Sequence, residues 1–215
     1  MVIIAPSILS ADFAELRKDV ALAEKAGAPW LHLDIMDGHF VPNLTFGAAV
    51  VAALRPRTKL FFDAHLMIEN PEKYLTAFAA AGADLICVHL ETLQDPVKVL
   101  RQIKALGKKA GLAINPDQNF ERLQPYLPEL DLALFMSVWP GFAGQKFIAG
   151  CLPEITKCRA YITAQSLPVD IEIDGGINRA TAPAAIAAGA NVLVAGSAIY
   201  QAADPAAEIQ HFISL

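Results

Sequence analysis

The stretch KAGAPWLHLDIM, residues 25–36, runs from the end of a helical pattern through Gly27 into an apolar strand pattern. Two related stretches follow later in the chain, AAGADLICV (80–88) and AAGANVLVA (187–195). In each of them a glycine stands where a helix would end, the usual place for a residue in the left-handed conformation. This weak internal repeat predicts a chain built from repeated helix–strand units.

Strand-like and helix-like segments alternate along all 215 residues. Most of the strand candidates are near-continuous apolar runs, which is typical of parallel strands covered on both faces. The candidates span residues 2–9, 30–36, 60–67, 85–90, 110–115, 132–138, 169–174 and 192–197.

Helical patterns occupy the intervals between these strands. Residues 11–27 carry apolar side chains at helical spacing from Phe13 onward, after Ser10 as an expected N-cap. Residues 71–82 and 96–107 each begin with a proline and end with a glycine, which is the usual asymmetry of helix ends.

Eight strand–helix units in a chain of this length predict an α/β fold, a single (β/α)8 TIM barrel domain spanning residues 1–215. The rival is an open, doubly wound sheet, which would need a glycine-rich phosphate-binding turn after its first strand. The corresponding segment here, SILSADF (7–13), contains no glycine. The barrel is therefore the preferred architecture.

Composition excludes several function classes. The formal net charge is −5 and the basic residues are scattered, so no nucleic-acid partner is expected. The N-terminus lacks the basic region of a signal peptide. The uncharged stretch 182–200 contains Pro183 and Gly189, and it is interpreted as a helix followed by a buried strand rather than a membrane span. Three cysteines without metal-type spacing indicate reduced, partly buried thiols. A soluble cytoplasmic protein without a membrane partner is expected.

Two histidines and two carboxylates at predicted strand ends indicate a metal site. His32 and Asp34 point to one face of the second strand, His65 lies on the third, and Asp174 ends the seventh. Any one of them is ordinarily a satisfied core or turn residue. Because an unpaired buried charge costs several kcal/mol, the four must share a partner. Two imidazoles and two carboxylates suit a catalytic divalent metal ion, with Zn²⁺ as the leading candidate and Fe²⁺, Mn²⁺ or Co²⁺ as alternatives.

Three glycine-rich segments follow the last three strands: PGFAGQ (140–145), DGGIN (174–178) and AGS (195–197). One such segment alone would indicate only a tight turn. Three at adjacent strand ends favour a phosphate cup, since barrels often bind phosphate after strands 7 and 8.

A metal beside a phosphate cup suggests chemistry on a sugar phosphate. The metal would bind a ketone oxygen and a neighbouring hydroxyl and stabilise the enediolate that forms on loss of the intervening proton. Two carboxylates on opposite faces of that planar species allow inversion, since one removes the proton and the other returns it. A methionine lining would exclude water without adding a base.

The chain closely resembles the ribulose-phosphate 3-epimerase family. The resemblance rests on the segments APSILSADF, HLDIMDGHFVPNLTFG, AHLMI, GLAINP, MSVWPGFAGQKFI, EIDGGIN and AGSAIY. It implies a (β/α)8 barrel that interconverts D-ribulose 5-phosphate and D-xylulose 5-phosphate in the pentose phosphate pathway. It also implies a homo-oligomer, either a dimer or a hexamer.

The same resemblance implies roles for individual residues. It makes Asp34 and Asp174 the acid/base pair. It assigns the metal ligands to His32, Asp34, His65 and Asp174. It assigns substrate contacts to Ser7, His65, Met36, Met67 and Met136, and phosphate contacts to Gly141, Phe142, Ala143, Gly144, Gly175, Gly176, Gly196 and Ser197.

Two positions depart from the family pattern, and three other functions stay open. Trp139 stands where the family usually has a polar residue, and Ala143 stands where it usually has glycine. Ala143 resembles a related epimerase of D-allulose 6-phosphate, which is the alternative substrate. A lyase or Schiff-base aldolase would need an inward lysine, whereas Lys108 and Lys109 lie at the wrong end of strand 5. A non-catalytic phosphosugar-binding barrel should have lost a ligand, and none is lost.

Overall fold

The computed structural model describes residues 2–215, which form eight parallel strands in one sheet. The order of the strands in the sheet is β1-β8-β7-β6-β5-β4-β3-β2. The strands are β1 Ile3–Pro6, β2 Trp30–Met36, β3 Phe61–Met67, β4 Leu85–His89, β5 Lys109–Ile114, β6 Leu132–Met136, β7 Asp170–Asp174 and β8 Val192–Ala195. An isolated parallel bridge between Ser7 and His32 joins the first strand to the second. The predicted (β/α)8 barrel is confirmed.

Helices cover the outside of the sheet. They are α1 Leu16–Lys25, α2 Ala48–Leu54, α3 Leu75–Ala81, α4 Pro96–Ala105, α5 Phe120–Leu123, α6 Leu152–Gln165, α7 Ala182–Ala188, α8 Ser197–Tyr200 and α9 Pro205–Ile213. Gly27, Gly82 and Gly189 follow α1, α3 and α7 with φ of +86°, +102° and +117°. The repeated glycines therefore end helices in the left-handed conformation, as the repeat predicted.

Strand alternation decides which side chains reach the barrel interior. Leu31 and Leu33 of β2 belong to the large core between sheet and helices, whereas Trp30 belongs to the smaller cluster inside the barrel. Because successive side chains point to opposite faces, His32 and Asp34 also face inward. The register pairs Asp34 with His65 across β2 and β3, which brings the two side chains to the same height in the barrel.

The start of the first helical unit differs from the prediction. Strand β1 ends at Pro6, and Ile8–Ser10 form a short 3₁₀ helix, because the Ser7 hydroxyl accepts a hydrogen bond from the backbone of Leu9. The prediction that Ser10 is the N-cap of α1 was wrong, since α1 begins at Leu16. Phe13 lies before the helix and is 47% exposed.

The uncharged stretch 182–200 forms α7, β8 and α8, so its interpretation as a helix and a buried strand is confirmed. Within residues 2–215 no helix combines the length and the apolar character needed to cross a membrane. The three cysteines are free thiols, as expected, and all three are buried.

Candidate active site

The carboxyl ends of the strands surround a cavity that is open to solvent. Almost every residue that the sequence singled out lines it: Ser7, Asp34, Met36, Met67, Met136, Gly141, Phe142, Ala143, Gly144, Asp174, Gly175, Gly176, Gly196 and Ser197. His32 and His65 lie directly beneath and are fully buried. Ser10 and Gln145 also line the cavity, although neither was predicted to be a site residue.

Four of these side chains converge on one point. Nε2 of His32 lies 3.5 Å from Oδ1 of Asp34 and 3.9 Å from Oδ2 of Asp174. Nδ1 of His65 lies 3.3 Å from that same His32 nitrogen and 3.8 Å from Oδ1 of Asp34. One donor atom from each of the four residues lies within 4.8 Å of all the others.

This donor set fits a divalent cation. Donors about 2.0–2.1 Å from a tetrahedral zinc ion lie roughly 3.4 Å from one another, close to the spacing between these atoms. Two imidazole nitrogens and two carboxylate oxygens are also ligand types that Zn²⁺ and its neighbours accept. Without a shared cation, the two carboxylates would face each other across a buried space.

The Nδ1 atom of His32, on the edge of the ring away from the cluster, contacts a buried carboxylate. This nitrogen lies 2.5 Å from Oδ2 of Asp63, whose carboxylate can only accept, so Nδ1 carries the hydrogen and Nε2 faces the cluster. Burial lowers the pKa of His32, but the charges of Asp34 and Asp63 outweigh it and raise that pKa well above the usual value. A cation would therefore displace a proton from this imidazole.

The two cluster carboxylates have opposite titration behaviour. Burial opposes ionisation of Asp34, yet His32 and His65 together hold its pKa well below the usual value. Burial and then the charge of Asp34 raise the pKa of Asp174 to about 7. Near neutral pH one group is thus a base and the other can hold a proton, the separation expected of an acid/base pair.

A third carboxyl lies deeper in the barrel. Oε1 of Glu172 is 3.6 Å from Nδ1 of His32, and among residues 2–215 neither Glu172 oxygen has a hydrogen-bond partner. Burial and the nearby charge of Asp63 raise the pKa of Glu172 well above the usual value. This shift favours the neutral carboxyl, which avoids a further negative charge beneath His32.

The ring of His65 is also contacted on the edge away from the cluster, by residues that the sequence analysis did not select. Its Nε2 lies 2.8 Å from Nε2 of His89, at the end of β4. Nδ1 of His89 lies 3.4 Å from Glu91, which accepts a hydrogen bond of 2.8 Å from the backbone of Asn115. Burial lowers the pKa of His89 to about 4 despite the neighbouring Glu91. The available signal was a histidine at the end of an apolar strand with a glutamate two residues later.

The predicted phosphate segments line the same cavity. Gly176 has φ of +64°, and a Cβ there would lie 2.7 Å from the backbone nitrogen of Phe147. A Cβ on Gly196 would lie 2.6 Å from Oγ of Ser10. Glycine is thus required at Gly176, where the neighbour is backbone, whereas a side chain at Gly196 would need the Ser10 hydroxyl to move.

A loop that includes Trp139 and Phe142 borders the cavity. Asn43, in the segment after β2, donates a hydrogen bond of 2.7 Å to the carbonyl of Gly141. The Gln145 amide donates to the carbonyls of Trp139 and Phe142 at 2.6 and 2.9 Å. The Trp139 side chain is 51% exposed and does not line the cavity. Its departure from the expected polar residue therefore leaves the cavity lining unchanged.

Comparison with known proteins gives consistent results. A family model described as the ribulose-phosphate 3 epimerase family matches residues 3–200. The ribulose-phosphate 3-epimerase of Bacillus subtilis (strain 168) is 48% identical over 205 residues, which cover 95% of this chain and 94% of that protein. The ribulose-phosphate 3-epimerase of Synechocystis sp. (strain ATCC 27184 / PCC 6803 / Kazusa) is 48% identical over 203 residues, covering 94% of this chain and 88% of that protein.

Solved structures of lower identity share the fold. KGPDC from Streptococcus mutans superposes with a TM-score of 0.71 at 12% identity, covering 100% of this chain and 97% of its own. The 3-hexulose-6-phosphate synthase from Salmonella typhimurium gives 0.69 at 18% identity, again covering 100% and 97%. Identities this low relate the architectures alone.

Proposed function

The chain belongs to the ribulose-phosphate 3-epimerase family of enzymes, and from this premise we propose that it is a metal-dependent epimerase that interconverts D-ribulose 5-phosphate and D-xylulose 5-phosphate. The pentose phosphate pathway is the corresponding metabolic role. One observation carries the proposal: Asp34 and Asp174, with opposite protonation near neutral pH, belong to one cluster with His32 and His65.

The four clustered residues would hold the divalent metal ion, Zn²⁺ first and Fe²⁺, Mn²⁺ or Co²⁺ as alternatives. When bound, such an ion supplies a Lewis acid that stabilises negative charge on the oxygens of the substrate. His32 and His65 would each offer one nitrogen, while Asp63 and His89 hold the opposite edges of the two rings.

The carboxylates would carry the proton transfers. Asp34, ionised, removes the proton from C3, and the carbon–hydrogen electron pair passes into the enediolate. Asp174, protonated, returns a proton to C3 from the opposite face, which inverts the centre. After this turnover Asp34 carries a proton and Asp174 is ionised, which is the state from which the reverse reaction starts. Loss of a proton from Asp34 to solvent and gain of one by Asp174 restore the first state, so no net proton is consumed.

The remaining cavity residues would position the substrate and keep it dry. Met36, Met67 and Met136 line the cavity beside the acid/base pair, and their thioethers offer neither a base nor a strong hydrogen bond to water. Ser7 would stand near the substrate hydroxyls. The backbone of the glycine-rich segments would bind the phosphate, through Gly141, Phe142, Ala143, Gly144, Gly175, Gly176, Gly196 and Ser197.

The residues of the cavity also bear on the three alternative functions. Ala143 lines the cavity, which keeps D-allulose 6-phosphate as the second candidate substrate. A Schiff-base aldolase is disfavoured because, among residues 2–215, no lysine lines the cavity. A non-catalytic phosphosugar-binding barrel would not need two carboxylates with separated pKa values.

The decisive experiment measures epimerisation of D-ribulose 5-phosphate and D-allulose 6-phosphate, with and without a chelator and after addition of Zn²⁺ or Mn²⁺. Chelator-sensitive turnover that favours the pentulose supports the proposal. Preference for the hexulose would move the protein to the alternative substrate with the same mechanism. No turnover of either ketose after metal addition would refute the proposed function.

A cytoplasmic location and assembly into a dimer or hexamer are part of the same proposal, and both rest on the family relationship. Sedimentation velocity of the purified protein tests the assembly, and a monomer at micromolar concentration would contradict it.

A further inference from the structure

We propose that His89 and Glu91 are positioning residues that make His65 present its Nδ1 lone pair to the metal site. The inference rests on the metal site of the proposed function, although not on the identity of the sugar. Neither residue lines the cavity, so neither would touch the substrate.

Asn115, Glu91, His89 and His65 form a chain of hydrogen bonds, called here the relay. The direction of each bond follows from the backbone N–H of Asn115, at the end farthest from the metal site. The backbone N–H of Asn115 can only donate, and it occupies Oε1 of Glu91 at 2.8 Å. The other oxygen of Glu91 lies 3.4 Å from Nδ1 of His89, and since a carboxylate only accepts, that nitrogen carries the hydrogen. A neutral His89 then has its lone pair on Nε2.

That lone pair decides the tautomer of His65. Nε2 of His89 faces Nε2 of His65 at 2.8 Å, and two lone pairs would repel at this distance. The hydrogen therefore lies on Nε2 of His65, and its Nδ1 is left as an acceptor, 3.8 Å from Asp34 and 3.9 Å from Asp174. A hydrogen on Nδ1 would instead point into the site and repel a cation.

The geometry of the rings supports a hydrogen bond rather than stacking. The centroids of His65 and His89 are 4.9 Å apart and the ring planes differ by 23°, while the nearest nitrogens are 2.8 Å apart. Two imidazole rings with this centroid distance, interplanar angle and nitrogen–nitrogen distance meet edge to edge. The ring centroids of Phe40 and His89 are 4.7 Å apart. The Thr92 hydroxyl donates a hydrogen bond of 2.8 Å to the backbone carbonyl of His89. Both side chain and backbone of His89 are thus fixed.

The two imidazoles of the site are held by different partners. His32 donates from Nδ1 to a carboxylate, whereas His65 donates from Nε2 to a second imidazole that a carboxylate orients. Partners of this kind commonly change metal affinity by 10- to 100-fold when removed. The same range is expected here.

The test compares His89→Leu with His89→Gln, whose amide oxygen can still accept from His65. The control is His211→Leu, on the outer helix α9. Zn²⁺ affinity is measured against a competing chelator, and the nitrogen resonances of His65 in the Zn²⁺-loaded protein report which ring atom binds. We expect affinity to fall 10- to 100-fold in His89→Leu, to recover at least partly in His89→Gln, and to stay unchanged in the control. Circular dichroism and thermal unfolding identify a variant that has lost its fold.

Zn²⁺ affinity of folded His89→Leu within twofold of the wild type, with His65 still bound through Nδ1, would overturn the inference. Wild-type protein that binds no Zn²⁺ would overturn it as well, together with the metal site. A third outcome is that the wild type binds Zn²⁺, His89→Leu binds it more weakly, and neither ketose phosphate is epimerised. This outcome would refute only the proposed reaction and would support the relay.

Discussion

The Ser7 hydroxyl donates a hydrogen bond of 2.5 Å to Oδ2 of Asp34. The bond crosses the seam of the barrel, where Ser7 also bridges to His32 at the junction of β1 and β2. It occupies Oδ2 of Asp34 and leaves Oδ1, 3.5 Å from Nε2 of His32, available to the four-residue cluster. One serine therefore orients a carboxylate that is both a candidate ligand and a candidate base.

Substitution of Ser7 by alanine should slow turnover. A hydrogen bond to a charged group contributes about 1.5–3 kcal/mol, which corresponds to roughly a 10- to 100-fold lower kcat if the bond orients Asp34 for proton removal. Steady-state assays of Ser7→Ala beside Ser214→Ala, an exposed serine near the C-terminus, measure this effect. Equal rates for the two variants would show that Asp34 needs no such support.

Asp174→Asn should slow epimerisation severely while it leaves phosphate binding intact. The amide cannot donate or accept the proton, and acid/base groups contribute about 10²–10⁴-fold to rate. Conversion of D-ribulose 5-phosphate to D-xylulose 5-phosphate, followed by NMR, is the measurement, with binding of inorganic phosphate measured in parallel. Asp170→Asn, at the opposite end of β7, is the matched control. Retained epimerisation in Asp174→Asn would eliminate the two-base mechanism.

Zn²⁺ binding should weaken steeply as the pH falls. His32 has a pKa raised well above its usual value, so near neutral pH it carries a proton that the ion must displace. The affinity should therefore rise with pH from 6 to 8, since fewer protons compete with the ion for the imidazole. Competition titrations from pH 6 to 8 measure this rise. An affinity that is constant over this range would contradict the protonation states described for the site.

Gly196→Ala should raise KM for the sugar phosphate more than it lowers kcat. The added methyl would lie 2.6 Å from Oγ of Ser10 and would narrow the cup where the phosphate is expected. Gly47→Ala, where a Cβ meets no atom within 4 Å, tests for a general effect of losing a glycine. Similar KM values for both variants would place the phosphate elsewhere.

The sequence was sufficient to predict the barrel because its strands are separated by clear helix ends. The glycines at 27, 82 and 189 mark three of these ends, and the alternation of polar and apolar residues in β2 indicated which side chains face inward. The clustering of His32, Asp34, His65 and Asp174 could be inferred because parallel strands end at the same face.

Other features depend on distances that no spacing along the chain encodes. Ser10 resembled a helix cap, yet the preceding Ser7 bonds Leu9 and turns the chain before α1 begins. His89 and Glu91 escaped selection because their partners, His65 and Asn115, lie 24 residues away from them in each case. Only the closed barrel brings these four residues together.

A ligand in the cavity would be contacted by residues from two separate portions of the chain. His32, Asp34 and His65 come from β2 and β3, whereas the glycine-rich segments follow β6, β7 and β8. A molecule that contacts both groups would tie the first half of the polypeptide to the second. Such a tether would oppose separation of the half-barrels, so a bound sugar phosphate would make the chain harder to unfold and slower to be cut by proteases.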